Sequence, residues 1–186
     1  MQRRQVLAAG VLALAGCADS SDDGPGDGTE FRQEPVETVF LDRFNEMRRD
    51  HSVATVDRNP DLSEMGQSHA ENMADHEYVG HVQPDGTTIE QRFADRGLNC
   101  ELPVDGTNEY YPAAENVAGA AEGRVEHPGS DETFFVHSND DLAEFLMDSW
   151  MTSEAHREVM VLPAVREIGL GVATNGSDIY AALEFC

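Results

Sequence analysis

Apolar positions between Pro35 and His51 recur at helical spacing, with Val36, Val39, Phe40, Phe44 and Met47 forming one stripe. They predict an amphipathic helix with Arg48 and Arg49 in its last turn, where cations complement the helix dipole. A second helix opens at Asn59-Pro60-Asp61-Leu62. Asn59 is its N-cap, and Pro60 sits where a missing N–H costs nothing. Leu62, Met65, His69 and Met73, with His76 nearby, share one face, and Gly80 ends the stretch. Thr87 to Gly97 predicts a third helix on Ile89, Phe93 and Leu98. Loops at 99–112 and 120–137 flank a short strand or strand-like turn at Ala113 to Gly119. Asn139 or Asp140 caps a fourth helix with Leu142, Phe145, Leu146 and Trp150 inward, and Glu154 to Met160 adds another helical turn. Arg166 to Thr174 and Asp178 to Phe185 read as strands joined by Asn175-Gly176, a hairpin turn. Helices around a small antiparallel sheet place the chain in the α+β class.

The first residues follow another pattern. Arg3 and Arg4 precede a short apolar run, Val6 to Ala15, too short to span a bilayer. Leu14-Ala15-Gly16-Cys17 has the form of a lipobox, and the Arg-Arg pair is similar to a twin-arginine signal. Residues 1–16 are therefore expected to be a signal peptide, with Cys17 as the lipidated residue. A generic signal peptide with an incidental cysteine is the simpler alternative. Residues 18–34 are Asp-, Ser-, Gly- and Pro-rich with little to bury, a solvated tether. The expected organisation is a signal at 1–16, a lipidated tether at 17–34 and one domain at 35–186.

Charge narrows the function classes. The chain has 12 Lys+Arg, 36 Asp+Glu and a net charge of −24, and all of its basic residues are arginine. Absence of lysine with this acidity resembles the composition of extreme halophiles. At 1 M salt the Debye length is about 3 Å, so repulsion among the carboxylates is damped. No basic patch exists to pair with phosphates, which argues against nucleic acid as a partner and against docking on anionic headgroups. The membrane is then reached only through a lipid at Cys17. Cys100 and Cys186 remain as an even pair, which in an exported protein suggests a disulfide; two free buried thiols are the alternative.

Four segments stand in fixed order: Gly80-His81-Val82-Gln83-Pro84-Asp85-Gly86, Glu115-Asn116-Val117-Ala118, Trp150 to Arg157, and Ile168-Gly169-Leu170-Gly171-Val172. Together they resemble the CAP superfamily of cysteine-rich secretory, antigen 5 and pathogenesis-related proteins, in its compact prokaryotic branch, over residues 36–186. The resemblance implies a three-layer α-β-α sandwich and a cleft where His81 and His156 face each other, with Glu115 and Asn116 beside them. Ser153 stands where the family has a second glutamate, next to Glu154. Two histidines with a carboxylate suit Zn²⁺ or a similar divalent cation, with His81 and His156 as ligands and Glu115 holding a water. The bland reading makes both histidines neutral cleft residues.

Other leads are weaker. His76 and His81 are one residue too far apart for a zincin pair, about 140° around a helix. His69 reads as an interior histidine, and His127 and His137 as solvated. Ser153 with His156 and Glu115 lacks a nucleophile elbow, so Ser153 is expected to cap the helical segment that follows. Asn175-Gly176-Ser177 is a weak glycosylation sequon already explained by its turn. With the lipobox and tether, the resemblance implies an extracellular, surface-anchored binding module for an unidentified small ligand, lipid or envelope component. A structural envelope protein with a vestigial cleft comes next, and a metal-dependent, peptidase-like hydrolase third.

Overall fold

The computed structural model describes residues 31–103, 110–111, 113–126 and 133–186. The proposed signal, Cys17 and nearly all of the tether lie outside the described residues, as does His127. Phe31 is already packed in the core, and helix α1 runs over Gln33–Asp50. Its predicted stripe is real: Val36, Phe40 and Phe44 are fully buried. Burying each such side chain is worth about 1.5–3 kcal/mol.

The central sheet has strands β4 (Ala114–Ala121), β7 (Glu167–Asn175) and β8 (Asp178–Phe185), with the short β1 (Asp57–Arg58) on the opposite edge, in the order β1-β7-β8-β4. β7 and β8 form the predicted hairpin, and Gly176 in its turn has φ +62. β1 pairs with β7 in parallel, so the sheet is mixed rather than wholly antiparallel. A two-residue strand carries no alternation from which sequence could find it.

Helix α2 (Pro60–His76) covers one face, and Asn59 caps it through its side-chain oxygen, as expected. The Ile168 to Val172 motif explains how closely α2 approaches. Ile168, Leu170 and Val172 point into the main core, and Gly169 and Gly171 lie beneath the helix. A Cβ on Gly171 would sit 2.0 Å from the Gly66 carbonyl carbon, so only glycine permits this contact. Helices α1 and α4 (Asn139–Thr152) fill the other face with Phe40, Phe145, Leu146 and Trp150.

Several local expectations change. Ser138, not Asn139 or Asp140, caps α4, accepting from the Asp141 N–H at 3.1 Å. The expected loop at 99–112 carries the strand pair β2 (Leu102–Pro103) and β3 (Tyr110–Tyr111). The expected loop at 120–137 holds a hairpin, β5 (Gly123–Glu126) with β6 (Thr133–Val136). Val136 packs on the main core. Helix α3 is Ile89–Asp95, closed by a capping box between Thr88 and Gln91. Helix α5 is Glu154–Met160, as predicted.

Candidate functional site

β4 is the outer strand of the sheet, and its alternation divides the site between two layers. Glu115 faces the α2 side, where the Oε2 atom lies 3.6 Å from His69 Nε2. Asn116 faces the α5 side, where its amide donates to the His156 carbonyl at 3.3 Å. A cleft of about 510 Å³ opens over this edge. His81, Glu115, Asn116 and His156 all line it, and Val159 and Leu162 are among its apolar walls.

On the α2 side the site is a buried ionic cluster. α2 ends at Glu77, which adopts a left-handed φ of 54, and the chain turns to bring His81 over β4. His81 Nδ1 is 2.9 Å from Glu115 Oε1. Arg92 on α3, nearly fully buried, donates to Glu115 Oε2 at 2.5 Å and to the His81 carbonyl at 2.8 Å. One guanidinium thus fixes both the carboxylate and the backbone of the histidine it holds. Burial alone would raise the Glu115 carboxyl, but the His81 hydrogen bond and the Arg92 charge outweigh it and hold it below the ordinary range. The hydrogen bond to Glu115 raises His81, against the opposing effect of its partial burial. Glu115 as acceptor puts the proton on Nδ1 of His81 and leaves Nε2 for the cleft.

Glu184 completes the cluster. It lies directly across from Glu115 in the β4–β8 register and is wholly buried. Neither of its oxygens has a donor partner among the described residues. The Glu115 carboxylate beside it is an acceptor, so a bond between the two requires Glu184 to carry the proton. Burial, then the charge of Glu115, raises Glu184 well above the ordinary carboxylate range, in agreement. His69, buried and donating toward the Gly80 carbonyl at 2.9 Å, is lowered chiefly by burial and is neutral.

The α5 side is more apolar, with Ala155, Val159 and Leu162 on the lining beside the exposed Glu158. Burial, then the charge of His81, lowers His156, and its Nδ1 is buried without a partner among the described residues. The wall behind it is set by Arg48, a fully buried guanidinium bonded to carbonyls instead of carboxylates. Arg48 reaches Met160 O at 2.7 Å, Ala54 O at 2.6 Å and Val165 O at 3.2 Å. Ser153 occupies the N-cap position of α5 but makes no side-chain cap bond, correcting that expectation. It lines a neighbouring cavity instead. Glu154 is exposed in the first turn of α5. Since Glu115 bonds to His81 and not His156, no Ser153-His156-Glu115 triad is assembled.

The Cys100–Cys186 disulfide is formed and ties the coil after α3 to the chain end. Asn175 donates its amide to the Ala74 carbonyl at 3.1 Å. His69 is the interior histidine expected, buried and bonded to Gly80, whereas sequence reading missed Arg92 and Glu184. Each was visible as one polar residue on an otherwise inward-facing set: Arg92 beside Phe93, and Glu184 in register with Tyr180 and Ala182.

Among the described residues no group of three or more His, Cys, Asp or Glu side chains is arranged to hold a metal. Two imidazoles remain at the cleft, with His81 oriented by a carboxylate as metal-binding histidines usually are. His81 and His156 are the residues that would hold a divalent cation, with Glu115 bonded behind His81.

Residues 41–186 match the family model for the cysteine-rich secretory protein family, CAP. No curated protein sequence matches the chain significantly. Among solved structures, an outer surface protein from Borrelia burgdorferi aligns at TM-score 0.60 and 14% identity, covering 85% of this chain and 96% of that one. An extracellular SCP-domain protein from Bacillus anthracis aligns at 0.55 and 20% identity, covering 81% of this chain and 40% of that one. NaASP2, solved with Zn²⁺, aligns at 0.52 and 14% identity, covering 91% and 83%. At these identities the likeness establishes the fold.

Proposed function

The chain belongs to the cysteine-rich secretory protein (CAP) family, and we propose that it acts as an extracellular binding module whose cleft engages its ligand through His81 and His156. The observation that carries this reading is the pairing of two unlike imidazoles over one cleft of about 510 Å³ with apolar walls. A cavity of that size with a few convergent polar groups is the usual form of a small-ligand site. His81 presents Nε2 and His156 is neutral, so together they offer both a donor and an acceptor or two metal-ligating nitrogens.

The hydrolase reading is disfavoured by Glu115. Its carboxylate is wholly buried and held by His81 and Arg92, away from a water in the cleft whose proton it would have to take. A purely structural role leaves the two histidines over an open cleft without a purpose.

A weakly held divalent cation is the second reading, supported by the two-imidazole donor set and by the Zn²⁺ in NaASP2. Calorimetric titration of Zn²⁺ into the chelator-treated protein in molar KCl tests it, with the His81→Ala, His156→Ala double variant as control. One-site binding that disappears in the double variant supports the cation. Identical heats from both proteins would leave the imidazoles as direct ligand contacts.

The lipobox and acidic tether support anchoring at the cell surface through Cys17, and the lysine-free composition supports a high-salt exterior. Cys17→Ser is expected to move the protein from the membrane fraction to the medium; retention in the membrane fraction would contradict lipid anchoring.

A further inference from the structure

The edge strands of a sheet carry unpaired backbone groups, and folds usually close them. The two edges of this sheet are treated differently. Beyond the two residues of β1, side chains take the outward groups of β7. Leu170 N–H donates to Glu37 Oε1 at 2.9 Å, and its carbonyl accepts from Gln33 Nε2 at 3.1 Å. Val172 N–H donates to Gln67 Oε1 at 3.0 Å.

β4 is the other edge. Cys186 and Glu167 exchange both backbone bonds, at 2.8 and 2.9 Å, so alternate residues of β8 serve β7 and the rest serve β4. By the register, Ala114, Asn116, Ala118 and Ala120 bond to β8, and Glu115, Val117 and Gly119 turn outward. The Trp150 indole closes the Val117 carbonyl at 3.2 Å. The main chains of Glu115 and Gly119 have no outward partner among the described residues. Both can be reached. Glu115 is 8% exposed although its side chain is wholly buried, so its backbone is what lines the cleft. Gly119, which is all backbone, is exposed.

A residue whose N–H and C=O both face outward is matched by another peptide residue, which returns an acceptor and a donor at the same spacing. Glu115 and Gly119 are four positions apart, about 13 Å along a strand. We propose that the open edge of β4 binds an extended polypeptide segment of at least five residues, whose main chain pairs with Glu115 and Gly119. The inference rests on the reading of the cleft as a ligand site and names the class of its ligand. Alternate side chains of the segment fall on the His81 side and the His156 side. The net charge of −24 disfavours acidic ones.

Amide hydrogen exchange, followed by NMR on the full chain in molar KCl, tests the proposal. The probe is a library of acetylated, amidated hexapeptides randomised over non-acidic residues. The control is the same library N-methylated at every backbone nitrogen, which keeps the side chains and removes the donors. In the free protein Glu115 and Gly119 should exchange faster than Asn116 and Ala118, which donate to β8. The library should slow Glu115 and Gly119 at least tenfold, and the N-methylated library should not. Gly119→Pro with Val79→Ala removes one outward N–H and clears the side chain that a Cβ there would meet at 2.9 Å. It should abolish the slowing at Glu115. Unchanged exchange at both positions, or equal slowing by the two libraries, would overturn the proposal and leave the histidine reading to the calorimetric titration. Slowing that grows with protein concentration in the absence of peptide would assign the edge to a second copy of the chain and overturn it as well. In His81→Ala, His156→Ala, slowing that persists would keep the edge proposal and contradict the histidine reading, whereas slowing confined to wild type would support both.

Discussion

The two sides of the cleft are built by opposite means. On the α2 side, His81 rests on a buried cluster of Glu115, Arg92, Glu184 and His69, in which charge and proton positions are fixed by one another. On the α5 side, His156 rests on apolar packing, and only backbone carbonyls, held by Arg48 and Asn116, set its frame. The same side chain therefore meets two electrostatic environments within one cavity. The contrast teaches that a histidine's charge is chosen by the layer behind it: a carboxylate favours the imidazolium, and an apolar wall disfavours it.

Breaking the ionic side should have the largest effect. Glu115→Gln leaves Arg92 buried without a counter-charge and is expected to cost about 3–5 kcal/mol in denaturant unfolding. A loss below about 1 kcal/mol would mean that the cluster is loosely coupled. Removing the covalent tie beside that side, with Cys100→Ser and Cys186→Ser together, should cost about 2–5 kcal/mol. Because the bond anchors the coil after α3, the loss should also loosen amide protection around Arg92 more than around His156.

Glu184→Gln sharpens the comparison by its sign. Glu184 is raised in the folded state, so wild type loses stability as pH climbs above the unfolded value of 4.5 toward the folded one. The amide keeps the donor and removes that cost. The variant should therefore gain stability over wild type near neutral pH, and the gain should shrink toward pH 4.5. A variant that loses stability at neutral pH would show that Glu184 is ionised.

The histidines give smaller, opposing effects. His81 is raised, so its contribution is present below pH 6.5 and is lost as pH rises through its folded value. His156 is lowered, so its contribution is present above 6.5 and is lost as pH falls through its folded value. Stability curves of His81→Ala and His156→Ala should diverge from wild type on opposite sides of pH 6.5.

Much of the fold was legible because its signals are local. Asn59-Pro60 set the start of α2, Asn175-Gly176 set the hairpin, and the apolar stripes of α1 and α4 set one core face. The two glycines of the Ile168 to Val172 motif were visible, but their cause, contact with Gly66 on α2, is tertiary. Ser138 was missed as a cap because Asn139 and Asp140 carry equally good capping side chains, and backbone geometry alone selects among them. In the site, His81, Glu115 and His156 were identified by motif. The inward position of Glu184 was readable from strand alternation, but its opposition to Glu115 depends on strand register, which a chain read residue by residue does not contain.

The most direct test of the account is an NMR pH titration of the imidazole nitrogens of His81 and His156 in the intact protein. His81 should titrate above 6.5 with its proton on Nδ1, and His156 below 6.5. If both titrate together near 6.5, or in the reverse order, the two sides of the cleft do not differ as described, and the paired-imidazole account of ligand binding fails with them.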